Sequence, residues 1–321
     1  MKRFFFFAII LTSSLLLLAG SFLLWSEQAQ APNDEGQENK KELVLLFAGD
    51  IMLDRGVEFY VKENGGDWKF PFLKIAGFLK GADLVFGNLE SVISDKGEKQ
   101  GSIYSFRADP QSMEGLVSAG FDVVSVANNH SMDYGAEAFL DSIQRLKDAN
   151  ITPVGFNHEP VIVEVQGTKI GFLAYTEQGS PLWDNPQAPA SVTWMDGSRL
   201  SQLMEEVEAA KLAADIVVVS FHFGDEYQTK PNATQELLSK TAISAGANLV
   251  IGHHPHIVQS VEQYQTGWIA YSLGNFVFDQ GFSKETMEGL LLEVIVQEKK
   301  ITKVSPRPIH LNYLFQPSLA E

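Results

Sequence analysis

Leu249-Val250-Ile251-Gly252-His253-His254-Pro255-His256 joins an unbroken apolar run to three histidines within four residues, and the reading of the fold turns on it. Continuous Val/Ile/Leu runs suit strands buried on both faces. Gly246-Ala247-Asn248 precedes the run, and a glycine there ends a helix in the left-handed conformation. The same phrase, a helical pattern, then a small residue or glycine, then a short apolar run, recurs from Gly81 to Val85, from Ala119 to Val124 and from Ala213 to Val219. Repetition of this kind predicts an α/β fold. Between Pro160 and Tyr175, and again from Ile257 to about Val304, strands follow strands across tight turns such as Gln166-Gly167 and Thr266-Gly267, which adds antiparallel strands. Two stacked mixed sheets with outer helices accommodate both patterns. Glu177 to Arg199, rich in Pro, Gly, Asp, Trp and Ser, reads as a long surface loop suited to shaping a substrate groove.

Polar residues gather where these strands end. Leu45-Leu46-Phe47 leads to Ala48-Gly49-Asp50, Leu84-Val85-Phe86 to Gly87-Asn88-Leu89-Glu90, and Val123-Val124-Ser125-Val126 to Ala127-Asn128-Asn129-His130. Val217-Val218-Val219 leads to Ser220-Phe221-His222, and the opening stretch supplies the three histidines. Ligands of open α/β sheets bind beyond the carboxyl ends of the strands, so these ends should converge on one pocket. Five of the seven histidines lie there. Imidazole nitrogen beside carboxylate and amide oxygen suits Zn, Mn or Fe better than Ca or Mg. In an extended segment His254 and His256 would face one cavity while His253 faces away. Asp50 or Glu90 could bridge two ions ~3.5–4 Å apart and hold a hydroxide between them.

Each motif alone has a plainer reading. Gly49-Asp50 could be a turn with a capping aspartate, Asn128-Asn129 a strand terminator, Glu90 a surface carboxylate and His222 a satisfied buried histidine. Asp54 and Arg55 read as the cap and first residue of a helix. Arg107 reads as a surface charge, with anion binding as the other possibility. His158 and His310 have no constellation in the sequence and read as structural. No G-x-S-x-G elbow and no G-x-x-x-x-G-K phosphate loop is present, which sets aside those two classes.

The 321 residues are 45% hydrophobic, with 22 Phe and 5 Trp, and support a sizeable core. A net charge of -16 argues against nucleic acid as a partner, since like charges repel. With no cysteine, any metal must take nitrogen and oxygen ligands, and lipidation of the leader is excluded. Met1-Lys2-Arg3 followed by an apolar run to about Trp25 directs export, and the run is close to the ~20 residues that span a bilayer. Residues 1–26 are thus expected as a signal-anchor helix, 27–42 as a flexible linker, 43–312 as the domain and 313–321 as a C-terminal tail. This places a single-pass protein in the cell membrane with its domain outside. The alternative is cleavage at Ala29-Gln30-Ala31 and release.

The ordered set Phe47–Ile51, Gly87–Glu90, Ala127–Gly135, Phe221–Gly224, Gly252–His256 and Ser272-Leu273-Gly274-Asn275-Phe276 resembles CapA-type proteins of bacterial poly-γ-glutamate capsule synthesis or export. The match runs in order through nearly all of residues 43 to about 310. That family is similar in turn to calcineurin-like metallophosphoesterases, and the resemblance implies a four-layer αββα sandwich of two mixed sheets. It further implies Asp50, Asn129, His222, His254 and His256 as ligands to two divalent ions, with His130 as the acid for the leaving group. Glu90 stands where a bridging aspartate is usual. Asn88, Asp54, Arg107, His253 and Asn275 are expected to support the ligands or contact substrate. One departure matters: the usual D-x-H of the first strand reads Asp50-Ile51-Met52. The implied function is a metal-dependent hydrolase of phosphoester or γ-glutamyl bonds serving an anionic polymer. The alternative is a noncatalytic, membrane-anchored, metal-binding part of a capsule synthase or export complex.

Overall fold

The apolar runs form the strands expected of them in a computed structural model that describes residues 42–320. In chain order these are β1 (Leu43–Ile51), β2 (Leu84–Leu89), β3 (Val92–Ile93), β4 (Arg107–Ala108), β5 (Val123–Ser125), β6 (Thr152–Val154), β7 (Val161–Val165) and β8 (Thr168–Thr176). They continue with β9 (Ile216–His222), β10 (Leu249–His253), β11 (Val261–Tyr264), β12 (Gly267–Ala270), β13 (Asn275–Val277), β14 (Glu288–Gln297), β15 (Lys300–Leu311) and β16 (Pro317–Leu319). The helices are α1 (Arg55–Glu63), α2 (Ala76–Leu79), α3 (Met113–Ala119), α4 (Gly135–Asp148), α5 (Leu200–Ala213) and α6 (Ala233–Ala245).

Two mixed sheets result. The larger has the order β16-β15-β14-β1-β2-β5-β6, with β13 paired to the end of β1, and the smaller has the order β11-β12-β10-β9-β8-β7. β1, β2, β5 and β6 run parallel, as do β8, β9, β10 and β12, while β7, β11, β14, β15 and β16 are antiparallel additions. The expected hairpin at Gln166-Gly167 has both turn residues at positive φ, 50° and 82°, as a type I′ turn requires.

The repeated phrase has a physical purpose that periodicity does not reveal. Its aspartate or asparagine, just ahead of each strand, accepts the amide that opens the neighbouring strand: Asp83 from Val44, Asp122 from Val85, Asp215 from Lys169 and Asn248 from Val217, at 2.8 to 2.9 Å. Each copy therefore pins register as well as ending a helix. Gly120 and Gly246, after α3 and α6, take the left-handed conformation at φ 88° and 118°, consistent with helix-ending glycine.

Side chains alternate across the smaller sheet. Phe172, Ile216, Val218, Leu249 and Ile251 share one buried cluster with Phe47, Phe86 and Val124 of the larger sheet. Tyr175, Val217, Val219, Phe221 and Val250 instead join Leu203 and Val207 of α5 and Leu238 and Ala242 of α6. Phe86 and Phe172 stack at 5.7 Å between ring centres, nearly coplanar at 4°, where the sheets meet.

The expected tail at 313–321 includes β16, an edge strand paired to β15; three residues carry too little periodicity to announce a strand. The expected leader, and the linker up to residue 41, lie outside the described residues. Among the described residues no helix is long and apolar enough to cross a membrane.

Candidate metal centre

The carboxyl ends of β1, β2, β5, β9 and β10 bring their polar residues together at one place. Strand register sets Asp50 opposite both Asn88 and Asn275, and His253 opposite His222. Gly49 is required next to Asp50, because a Cβ there would lie 1.9 Å from the Gly274 carbonyl that accepts the Asp50 amide at 3.0 Å. Asp50 is fully buried, takes the Asn88 side-chain amide at 2.9 Å and lies 3.2 Å from His253 Nδ1. Burial pushes its carboxyl up, but His253, His256 and Asn88 outweigh that and hold it below the usual range.

Glu90 has the opposite environment. It too is fully buried, and neither of its oxygens has a hydrogen-bond partner. His130 Nε2 and His256 Nε2 approach Oε1 only to 3.7 and 3.6 Å. Burial, and then the charge of Asp50, push the Glu90 carboxyl well above its ordinary range. An unpartnered buried carboxylate is costly unless a cation meets it. His222 and His256 are lowered first by burial, and His254 is lowered to about 3 by burial and then by His256. Their rings are neutral at physiological pH, the form that binds metals.

Among the described residues, two groups of ligand atoms each converge within 4.8 Å: Asp50 with Glu90 and His222, and Glu226 with His254 and His256. Asn129 Oδ1 lies 2.8 Å from His222 Nε2, so it adjoins the first group. Asn275 Oδ1 meets His256 Nδ1 at 3.0 Å; a neutral ring then carries its proton on Nδ1 and turns Nε2 towards Glu90. Nitrogen and carboxylate donors in this number fit divalent ions of the Mn, Zn or Fe type. His130 stands beside them, its Nδ1 2.7 Å from Asp133 Oδ2 and its ring against Phe106 at 4.0 Å. The Phe106 amide also donates to Asp133, so one carboxylate orients the histidine and its packing partner.

Some expected residues are placed differently. His253 does not face away: it closes the strand against Asp50, with its ring 6.2 Å from that of Phe86. The chain leaves the extended conformation after His253, with φ of 95° at His254 and 57° at His256, so an alternating-face reading does not apply. Asp54 caps α1 through the Arg55 amide and accepts the Arg107 amide on its other oxygen. Arg107 turns its guanidinium to the carbonyls of Lys96 and Gly97, over the Tyr134 ring, and orders that loop. His158, expected to be structural, sits between Asp184 at 2.7 Å and Glu206 at 2.9 Å. That contact ties the 177–199 loop to α5. The loop also walls a groove of about 450 Å³ whose lining includes Gln100, Met132, Gly135, Leu182 and Trp183.

A family of bacterial capsule synthesis proteins, PGA_cap, matches residues 44–280. The chain belongs to that family. Among curated relatives, "Capsule biosynthesis protein CapA" of Bacillus anthracis is 33% identical over 89% of this chain and 74% of its own length. "PGA biosynthesis protein CapA" of Bacillus subtilis is 30% identical over 90% of this chain and 77% of its own. A crystal structure of a phosphatase from Mycoplasma pneumoniae is similar in fold, with a TM-score of 0.50 and 16% identity over 84% of this chain and 94% of that one.

Glu226 of this PGA_cap chain is not among the residues that sequence alone picks out. The signal was present in Gly224-Asp225-Glu226, four residues beyond His222 at a strand end already singled out. A Gly-Asp-Glu run is also ordinary turn sequence, so the motif alone does not mark a ligand.

Proposed function

We propose that this protein acts in poly-γ-glutamate capsule synthesis as a metal-dependent hydrolase, held at the outer face of the cell membrane by its N-terminal segment. Family membership supports the capsule role. The catalytic reading rests chiefly on Glu90, a buried carboxylate with no hydrogen-bond partner among three histidine-bearing strand ends. The four-layer αββα arrangement is supported by apolar side chains that alternate between the opposing sheet and the α5–α6 layer.

Two divalent ions would be held by Asp50, Glu90, Asn129, His222, His254 and His256, and would supply Lewis-acid polarisation together with activation of water. The chain's own groups do the rest. Glu90 belongs to the first ligand group and its Oε1 lies 3.6 Å from His256 of the second and 3.7 Å from His130. Asp133 accepts the His130 Nδ1 proton and directs Nε2 into the site, where a positioned imidazolium can protonate a departing oxygen or nitrogen. His253, Asn88 and Asn275 orient Asp50 and His256. The groove lined by Met132, two residues along from His130, and by Trp183 is the path this reading gives to an extended chain. With a net charge of -16, attraction for an anionic polymer needs local positive charge, from the ions or from arginine.

The test is turnover of purified full-length protein on a phosphoester panel and on poly-γ-glutamate, with Mn, Zn or Fe and with chelator. Metal-dependent cleavage of one class, lost in His130→Ala while metal content is retained, is the expected result. No cleavage of any substrate, together with normal capsule in cells carrying His130→Ala, would favour a noncatalytic role in a capsule synthase complex. Protease accessibility of the domain on intact cells, lost when residues 1–26 are deleted, tests the location.

A further inference from the structure

The first strand of this chain lacks a ligand that its resemblance to metallophosphoesterases calls for. Met52 stands where D-x-H has histidine, and its sulfur accepts the Asp54 amide at 3.1 Å rather than offering a nitrogen. We infer that the ligand set is made up elsewhere: Glu226 joins His254 and His256 as the third protein ligand of the second metal site. This rests on the metal-centre reading above and specifies its ligands.

Three observations carry it. Glu226, His254 and His256 each present one ligand atom, all within 4.8 Å of one another. His254 is 6% exposed, and its Nδ1 is buried without a partner, so the ring is held at the site with hydrogen-bonding capacity unused. Both histidines adopt positive φ, 95° and 57°, a conformation that non-glycine residues hold only where the surroundings enforce it.

The loop carrying Glu226 is fastened to the same histidine segment. The Tyr227 amide donates to Pro255 at 2.9 Å, and the Tyr227 ring lies 6.2 Å from His256 and 5.2 Å from Phe282. Gln280 then links the Tyr227 hydroxyl to Asn275, which holds His256. Glu226 is therefore delivered by a built support and not by a free surface loop.

The resulting centre is unequal. Asp50, Glu90 and His222 are all buried, whereas the second group has two buried imidazoles and one exposed carboxylate. Two histidines and one carboxylate, with Glu90 3.6 Å from His256 Nε2, leave positions open to water or substrate. An ion held there would meet solvent on the side of the exposed carboxylate and would be the more weakly held.

Metal content and affinity of the full-length protein decide the matter, with Mn(II) as the probe and elemental analysis plus calorimetry as readouts. Wild type should bind two equivalents of unequal affinity. Glu226→Gln, an exposed and isosteric change, should keep the tighter equivalent and weaken the other at least about tenfold, since even outer-shell partners are worth ~10–100-fold. Unchanged thermal unfolding in chelator confirms that the variant folds. Two equivalents of wild-type affinity in Glu226→Gln would overturn this assignment alone. No Mn(II) bound by wild type would overturn the metal-centre reading with it.

Discussion

Replacing Glu90 by methionine should stabilise the metal-free protein and remove the stabilisation that metal gives at the group of Asp50, Glu90 and His222. The carboxyl is fully buried, both oxygens lack partners, and the nearest nitrogens stay 3.6 and 3.7 Å away. An unsatisfied buried polar group costs ~1–3 kcal/mol, and methionine fills irregular space without polar atoms. Part of that gain goes to fitting a bulkier side chain, leaving roughly 1–2 kcal/mol. At ~2–4 °C per kcal/mol for a domain of this size, the variant should melt about 2–8 °C above wild type in chelator. Metal reverses the order: at 100 times Kd, an ion bound only by the folded state adds ~2.7 kcal/mol. Wild type gains this at the Asp50, Glu90 and His222 group and the variant does not, while an ion at the Glu226 group adds to both. Differential scanning fluorimetry in EDTA and in excess Mn(II) reads both signs. A Glu90→Met protein that is less stable than wild type in EDTA and gains as much from Mn(II) as wild type does would refute the view of Glu90 as a carboxylate kept for a cation.

Other consequences follow from single contacts. His158 is raised to about 9 by hydrogen bonds to Asp184 and Glu206, against ~6.5 when unfolded, so its imidazolium contributes ~3 kcal/mol below that lower value. The contribution is lost as pH rises from about 6.5 through 9; His158→Gln should flatten that part of a stability-versus-pH curve, and an unchanged slope would contradict the link. Asp133→Ala should lower turnover roughly 10²-fold with little change in KM, because His130 loses the acceptor that fixes its tautomer. Asn248→Ala leaves the Val217 amide without its acceptor and should cost ~1–3 kcal/mol in urea unfolding. A loss under 0.5 kcal/mol would show that the asparagine does not pin the strand.

The strands, their parallel order at the core and the antiparallel hairpins could be read from the sequence because two-sided burial writes itself as unbroken Val, Ile and Leu. That their polar ends would meet was also legible, since parallel strands share one carboxyl edge. The orientation of the histidines was not, because the chain turns through positive φ at His254 and His256 and strand alternation stops at His253. Glu226 and the partners of His158 were hidden for a related reason. Each is set by a loop whose path is decided by distant contacts, such as Tyr227 with Pro255 and His158 with Asp184. Arg107 shows the converse: a charge that sequence leaves open to anion binding is spent on the carbonyls of its own loop.

Anomalous diffraction from crystals of the protein loaded with Mn(II) would examine the centre without reference to any substrate. Two peaks ~3.5–4 Å apart are expected, one contacting Asp50, Glu90 and His222 and the other contacting Glu226, His254 and His256. Fully loaded crystals with no peak at these strand ends would contradict the account.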